Sequence, residues 1–212
     1  MTILITGATG FVGSALCHAL NLADYKIRRN NQRLSEADWS QSLAGVSTVV
    51  HLAARVHIMH DSATDPLAEF RAVNVHGTLN LARQAVAAGV RRFVFLSSIG
   101  VNGAVTELNK PFTTDDSPAP HSSYAISKYE AELGLINMAT ETGMQVVIIR
   151  PPLIYGANAP GNFGSLLRAI RRGVPFPLGL ATHNRRSFVS LNNLVDFIIT
   201  CIHHPMPLIK LF

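Results

Sequence analysis

Short apolar runs alternate with longer segments of helical period over the first two thirds of this chain. Thr2 to Thr6 is nearly all apolar, the pattern of a strand covered on both faces. Phe11 to Leu22 has helical periodicity, and Tyr25 to Arg29 reads as a short second strand. Ser35-Glu36-Ala37-Asp38 is expected to open a brief helix with serine at its N-cap. Val46 to Leu52 is a buried strand. From Pro66 to Ala88 apolar residues recur at three and four, which predicts one long helix entered through proline and ended by Gly89. A strand at Phe93 to Leu96, a helix from Tyr124 to Thr142 closed by Gly143, and a strand from Met144 to Ile149 complete the series. This alternation predicts a doubly wound α/β fold, a parallel sheet with helices on both faces. Beyond Pro151 the texture changes. Pro, Gly and Asn cluster up to Gly164 and again from Gly173 to Asn184, around helices expected at about 163–172 and 191–203. Residues 1–150 are therefore expected to form one domain and residues 151–212 part of a second lobe, with no internal repeat.

Composition narrows this picture without changing it. At 212 residues the chain supports one sizeable core, and 48% apolar against 15% charged residues excludes a disordered polymer. The opening Met1-Thr2-Ile3-Leu4-Ile5-Thr6 has no basic start, so it is expected to be a strand and not a signal peptide. No run approaches the roughly 20 apolar residues of a membrane helix. Cys17 and Cys201 lie in apolar helical patterns and are expected as free buried thiols, as suits a cytoplasmic protein. The net charge of +5 is spread over Arg28-Arg29, Arg91-Arg92, Arg171-Arg172 and Arg185-Arg186. With no aromatic-plus-basic module beside them, nucleic acid is not the expected partner; an anionic small molecule for one or two pairs is.

Three motifs carry chemistry. Gly7-Ala8-Thr9-Gly10-Phe11-Val12-Gly13 follows a strand and opens a helix, the position in which glycines form a turn against a dinucleotide pyrophosphate. Gly7 permits the turn, Gly10 lets backbone approach the phosphates, and Gly13 allows close helix packing. Tyr124-Ala-Ile-Ser-Lys128 sets a phenol and an ammonium on one helical face, where the positive charge favours the phenolate. Ser97-Ser98 ends an apolar run, and a serine hydroxyl there can hydrogen-bond a substrate oxygen during proton transfer. A strand-end cap is the plainer reading of the serines, and packing that of the tyrosine. His51, His57 and His60 invite a metal, but no carboxylate or cysteine stands at ligand spacing, so no metal is expected.

The Gly-x-x-Gly-x-x-Gly spacing together with Ser98 and Tyr124-x-x-x-Lys128 resembles the extended short-chain dehydrogenase/reductase superfamily. His51-Leu52-Ala53-Ala54-Arg55-Val56-His57, Asn74-Val75-His76-Gly77-Thr78-Leu79-Asn80, Ser97-Ser98-Ile99-Gly100-Val101-Asn102-Gly103 and Arg150-Pro151-Pro152-Leu153-Ile154-Tyr155-Gly156 are similar to its NAD-dependent epimerase/dehydratase branch. The resemblance covers nearly the whole chain and points towards UDP-sugar 4-epimerases and 4-keto-sugar reductases of polysaccharide synthesis. It implies a Rossmann-type dinucleotide domain with a substrate lobe. It further implies Tyr124 as acid/base, Lys128 as the group that lowers its pKa and holds the nicotinamide ribose, and Ser98 as the substrate-orienting serine, with Ser97 the fallback. Gly7, Gly10, Phe11, Val12, Gly13, Arg29, Leu52, Ala53, Ala54, Asn74, Ser97 and Pro151 would line the cofactor cleft with Tyr124 and Lys128. Asn74 is expected to hold active-site backbone. Asn162 and Arg186 match places where relatives hold a nucleotide-diphosphate sugar, and an arginine fork suits a diphosphate.

Three departures from the pattern bear on these expectations. The second strand ends Lys26-Ile27-Arg28-Arg29-Asn30, without the acid that usually meets the ribose hydroxyls, so NADP is open beside NAD. The stretch from Asn30 to Ser35 is too short for the helix and third strand expected there. Relatives also continue beyond the helix containing Asp196, whereas this sequence stops at Met206-Pro207-Leu208-Ile209-Lys210-Leu211-Phe212, which reads as an interior segment; a truncated substrate lobe is the expectation. The leading function is a nucleotide-sugar 4-epimerase. A 4-keto-sugar reductase using the same residues, and a non-catalytic nucleotide-sensing protein, are the alternatives. The apolar helices suit a homodimer face, and a buried core face explains them equally well.

Overall fold

The structure is a computed structural model that describes residues 1–30, 34, 37–56, 64–174, 185–205 and 207–212, the side chain of Asn162 excepted. Six parallel strands form the main sheet: β1 (Thr2–Thr6), β2 (Lys26–Asn30), β3 (Thr48–His51), β4 (Arg92–Leu96), β5 (Gln145–Ile149) and, from the end of the chain, β8 (Ile209–Leu211), in the order β2-β1-β3-β4-β5-β8. The near-continuous apolar character of the central strands follows from their double coverage. Side chains alternate between faces with the period of two. Leu4, Val49, Phe93, Phe95, Val146 and Ile148 point into one core. Ile3, Ile5, Val50, Val94, Val147 and Ile149 point into the other. Each such fully buried side chain contributes about 1.5–3 kcal/mol.

The first core is closed by α2 (Ser40–Leu43), α4 (Thr78–Ala87) and α5 (Ser123–Thr142), through Leu43, Leu81, Ala85, Ala131, Leu135 and Ala139, with Trp39 wholly buried beside them. The second is closed by α1 (Phe11–Leu22) and α7 (Leu191–His203), through Leu16, Cys17, Leu20, Leu194, Ile198 and Cys201. Helices thus cover both faces, as the sequence predicts. Cys17 and Cys201 are buried and free.

Local chemistry sets the helix ends. Asp65 accepts from Ala68 N at 3.0 Å ahead of Pro66, Ser122 accepts from Ala125 N at 3.1 Å, and Ser190 accepts from Asn193 N at 3.1 Å. Gly143, at φ 76°, closes α5 in the left-handed conformation. The long helix expected from Pro66 to Ala88 is continuous but not uniform. Between α3 (Pro66–Arg71) and α4 its backbone widens into a π segment, Ala72–Gly77. Of the helix expected at Ser35–Asp38, Ser35 and Glu36 lie outside the described residues. Helix α2 instead starts at Ser40, whose N–H donates to Asp38 Oδ1 at 2.9 Å.

Among the described residues no strand lies outside β2, so the first half of the sheet has two strands. Past residue 150 the chain builds a two-stranded piece from β6 (Leu153–Tyr155) and β7 (Phe188–Ser190), with α6 (Gly161–Arg171) between them. It then returns to the main sheet through α7 and β8. Arg92 anchors α7: its Nη1 donates to the carbonyls of Cys201, Ile202 and His204 at 2.8–2.9 Å, and Gln145 Oε1 takes its remaining arm. The apolar end of the chain is explained by β8 pairing with β5 and by Phe212 packing edge-on against Phe197 at 4.9 Å.

Candidate active site

All six strands run the same way, so the segments leaving β1, β3, β4 and β5 emerge along one edge of the sheet. The chain leaves β1 towards β2 on one side, while β3 lies on the other. That divergence makes the crevice in which open α/β sheets bind ligands. Gly7 follows β1 at φ 67°, and a Cβ there would stand 2.7 Å from the backbone nitrogen of Ala53. A Cβ on Gly13 would stand 2.0 Å from the Gly7 carbonyl oxygen. Both glycines are therefore required by close backbone approach. Gly10 is the exposed N-cap of α1; it offers no side-chain cap, and the first turn holds no acid. The N–H groups and positive end of α1 are left for an anion, so the turn fits a dinucleotide pyrophosphate. Val12 contributes backbone alone, because its side chain belongs to the second core. Phe11, Leu52, Ala53, Ala54 and Pro151 are half-buried around the crevice.

Ser98 follows β4 and accepts from Gly100 N at 3.1 Å, capping a short 3₁₀ turn, Ile99–Val101. Its hydroxyl proton is not used in that bond. A Cβ built on Gly100 would stand 3.4 Å from Ser98 Oγ and 3.5 Å from Ala125 Cβ, so the serine lies against the first turn of α5. Tyr124 and Lys128 lie there one turn apart. Lys128 is buried, donates to the Leu96 carbonyl at 2.8 Å, sits 4.4 Å over the Phe95 ring, and has its Nζ 5.9 Å from the Tyr124 ring centroid. Phe70 meets the Tyr124 ring edge-on at 6.1 Å. Burial pushes the Tyr124 phenol up to about 12 and pulls the Lys128 ammonium down to about 7, with Glu132 opposing the latter. Burial thus moves both groups towards their neutral forms.

The π segment turns Asn74 inward. Its Oδ1 accepts from Arg55 N at 2.8 Å, and its Nδ2 donates to Arg55 O and to Ser127 Oγ at 3.2 and 3.0 Å. Ser127 in turn donates to the Tyr124 carbonyl at 2.8 Å. Asn74 thus holds the strand-end backbone, and π segments are often found at functional sites. Ser97 is buried with its hydroxyl on Glu132 Oε1 at 2.5 Å, so it faces inward, while half-buried Ser98 keeps its hydroxyl on the 3₁₀ turn. His51 is a core residue: its ring nitrogens meet Thr6 Oγ1 and Thr78 Oγ1 at 2.6 and 2.9 Å, and burial, aided by Lys128, lowers it to about 3. His57 and His60 lie outside the described residues, and among the described residues no metal-ligand cluster occurs.

Other expected residues lie farther out. Arg28 donates to the carbonyls of Gln41, Ser42 and Ala44, capping α2, while exposed Arg29 interacts with the Cys17 thiol and is the arginine of the pair on the surface. Arg186 is exposed just before β7, and among the described residues no contact joins it to Ser98, Tyr124 or Lys128. Asn162 is on the first turn of α6; its side chain lies outside the described residues. A cavity of about 630 Å³ lies at the opposite edge of the sheet, between Arg91, Gly143 and His203, remote from these groups. Sequence reasoning missed the buried pair Glu132 and Arg150, although a carboxylate one turn past Lys128 on an apolar face was the available signal.

The profile of the NAD dependent epimerase/dehydratase family matches residues 3–208. The chain belongs to that family. It is an enzyme family of the short-chain dehydrogenase/reductase type, and its cofactor is NAD. The chain is 45% identical over 220 residues to a UDP-glucose 4-epimerase of Vibrio cholerae, covering 96% of this chain and 67% of the relative. It is 32% identical to N-acetyl-alpha-D-glucosaminyl-diphospho-ditrans,octacis-undecaprenol 4-epimerase of Escherichia coli O157:H7, covering 92% of this chain and 61% of the relative. Among solved structures, MoeE5 in complex with UDP-glucose and NAD superposes with a TM-score of 0.86 at 25% identity, over 100% of this chain and 75% of that one. The chain thus spans about two thirds of the length of these family members. Among the described residues no helix is long and apolar enough to cross a membrane.

Proposed function

We propose that this chain carries the cofactor-binding and proton-transfer core of a nucleotide-sugar 4-epimerase acting on a UDP-hexose or UDP-N-acetylhexosamine. The observation that carries the reading is the gathering of Ser98, Tyr124 and Lys128 beside the glycine cradle at one edge of the sheet. The 45% identity to an epimerase supports the reaction class. NAD, when bound, would supply the acceptor and donor of a hydride at sugar carbon 4. Ser98 donates its free hydroxyl proton to the 4-oxygen and orients it. Tyr124, as its phenolate, takes the 4-hydroxyl proton as the 4-keto sugar forms and returns it after the sugar has turned over. Lys128, in its charged form, stabilises the phenolate. Asn74 and Ser127 hold the backbone of Tyr124 in place. Arg186 would meet the diphosphate, and Asn162 would contribute to the same nucleotide-sugar site.

The test is proton NMR of UDP-glucose and UDP-N-acetylglucosamine incubated with the protein and trace NAD. The 4-epimer is expected to appear, and Tyr124→Phe to slow it by about 10²–10⁴-fold. A protein that produces no epimer, yet consumes reduced cofactor with a 4-keto sugar, would be the reductase instead. Exposed Arg29 at the end of β2, which suits a ribose phosphate, is the observation favouring that second reading.

A further inference from the structure

Helix α5 carries a further ionisable residue on the face that holds Tyr124 and Lys128. Glu132 follows Lys128 by one turn and is 1% exposed, among Ala131, Leu135 and Ala139. A carboxylate buried so deeply must be paired. Its Oε1 accepts from Ser97 Oγ at 2.5 Å and from Arg150 Nε at 3.0 Å, and its Oε2 accepts from Arg150 Nη2 at 2.5 Å. Arg150 Nη1 donates to Asn102 Oδ1 at 3.0 Å, and Asn102 Nδ2 donates to the Thr113 carbonyl at 2.9 Å. One ion pair thus joins the ends of β4 and β5, the middle of α5 and the loop through Thr113.

Stability alone does not account for this choice, since a packed apolar pair serves as well as a buried ion pair. What the pair adds is position and charge. Ser97 is the immediate neighbour of Ser98, and its N–H donates to the Ile149 carbonyl at 2.7 Å. On the other side of Ser98, Ile99 N donates to the carbonyl of Pro151, the neighbour of Arg150, at 3.1 Å. Ser98 is therefore clamped on both sides by the segments that Glu132 and Arg150 tie to α5. Lys128 meets Tyr124 and Glu132 on its own helix, His51 from β3, and the Leu96 carbonyl and Phe95 ring from β4. Glu132 is the acid among these groups, and His51 is neutral at physiological pH.

We propose that Glu132, paired with Arg150 and bonded to Ser97, is a positioning residue of the proton-transfer site: it fixes Ser98 against α5 and sets a carboxylate one turn beyond Lys128 on the same helical face, where it favours the ammonium. This rests on the reading of Ser98, Tyr124 and Lys128 as the reacting groups. The direction in which Glu132 shifts Lys128 agrees with it.

The lysines are Lys26, Lys110, Lys128 and Lys210, so a protein labelled with ¹³C at the lysine ε-carbon gives few signals, and Lys128 is identified by its loss in K128M. In the unaltered chain Lys128 is expected to titrate near neutral pH. In Glu132→Gln, which keeps shape and an acceptor for Ser97, the midpoint is expected to fall by about one unit, a tenfold loss of ammonium well above the midpoint. Glu132→Asp, which keeps the charge, should restore most of it. A midpoint unmoved within a few tenths in folded Glu132→Gln overturns the proposal. Should that variant fail to fold because Arg150 is left unpaired, the charge-balanced pair E132Q/R150M is titrated instead, with about a threefold loss expected. An unmoved midpoint there, or loss of the fold in that pair too, makes the ion pair structural and overturns the proposal. Because Lys128 is read directly, absence of turnover on UDP sugars sinks the functional reading without touching this result.

Discussion

Lys128 is the residue where folding and chemistry pull in opposite directions. Its ammonium is buried, and burial lowers its pKa to about 7 from an ordinary 10.5. The folded chain therefore binds fewer protons than the unfolded chain between those two values. Stability rises with pH across that window, and the charged form penalises the fold below pH 7. Replacing the lysine by methionine removes the penalty while keeping the stem. Lys128→Met is expected to melt higher than the unaltered chain at pH 6, by on the order of 5 °C, with the gap closing by pH 10. The same variant should lose about 100-fold or more in epimerisation. Thermal melts followed by circular dichroism at the two pH values check the first part. A variant that melts lower at pH 6 would mean that the bond to the Leu96 carbonyl outweighs the desolvation.

At the scale of elements, the site depends on two helices whose placement is set by polar side chains. The π segment at Ala72–Gly77 lets Asn74 reach Arg55 and Ser127, while Gly77 packs where a Cβ would come within 2.5 Å of Leu34 Cβ. Helix α7 is held by Arg92, whose guanidinium occupies the carbonyls at the helix C-terminus, where positive charge is favoured. Arg92→Leu leaves those carbonyls without a donor and is expected to cost about 2–3 kcal/mol. Urea unfolding would record the loss as a lower midpoint. Limited proteolysis should then cut first within residues 191–212. An unchanged midpoint would mean that the apolar face of α7 suffices to seat it.

At the scale of the whole molecule, three buried groups shape the pH dependence of stability. His51 is lowered to about 3 in the fold, so it contributes stability that is present above its unfolded value of 6.5 and lost as pH falls towards 3. Lys128 adds a rise between about 7 and 10.5. Tyr124 is raised to about 12, so the folded chain holds its proton longer than the unfolded one, and stability falls again between 10 and 12. The melting temperature is expected to climb from pH 4 to a maximum near pH 9–10. A maximum at pH 5–6 in a pH series of melting curves would show that these three groups do not dominate.

Much of this molecule was legible in the sequence because its signals are local. Strand and helix periods come from side chains alternating over two or about 3.6 residues, and Gly7, Gly13, Tyr124 and Lys128 announce their roles by spacing along one element. Their family follows from the same short motifs. What no spacing could tell was which partner each polar residue finds across the fold. Ser97 and Ser98 are neighbours in sequence, yet one is spent on Glu132 and the other, half-buried, caps the 3₁₀ turn. Arg28 and Arg29 divide in the same way, the first capping α2 and the second left exposed. Apolar burial is additive along a strand, and so can be read residue by residue. A buried hydrogen bond or ion pair exists only when two distant segments meet, so only the tertiary structure decided the Glu132–Arg150 brace, the seat of α7 on Arg92 and the return of β8 to the sheet.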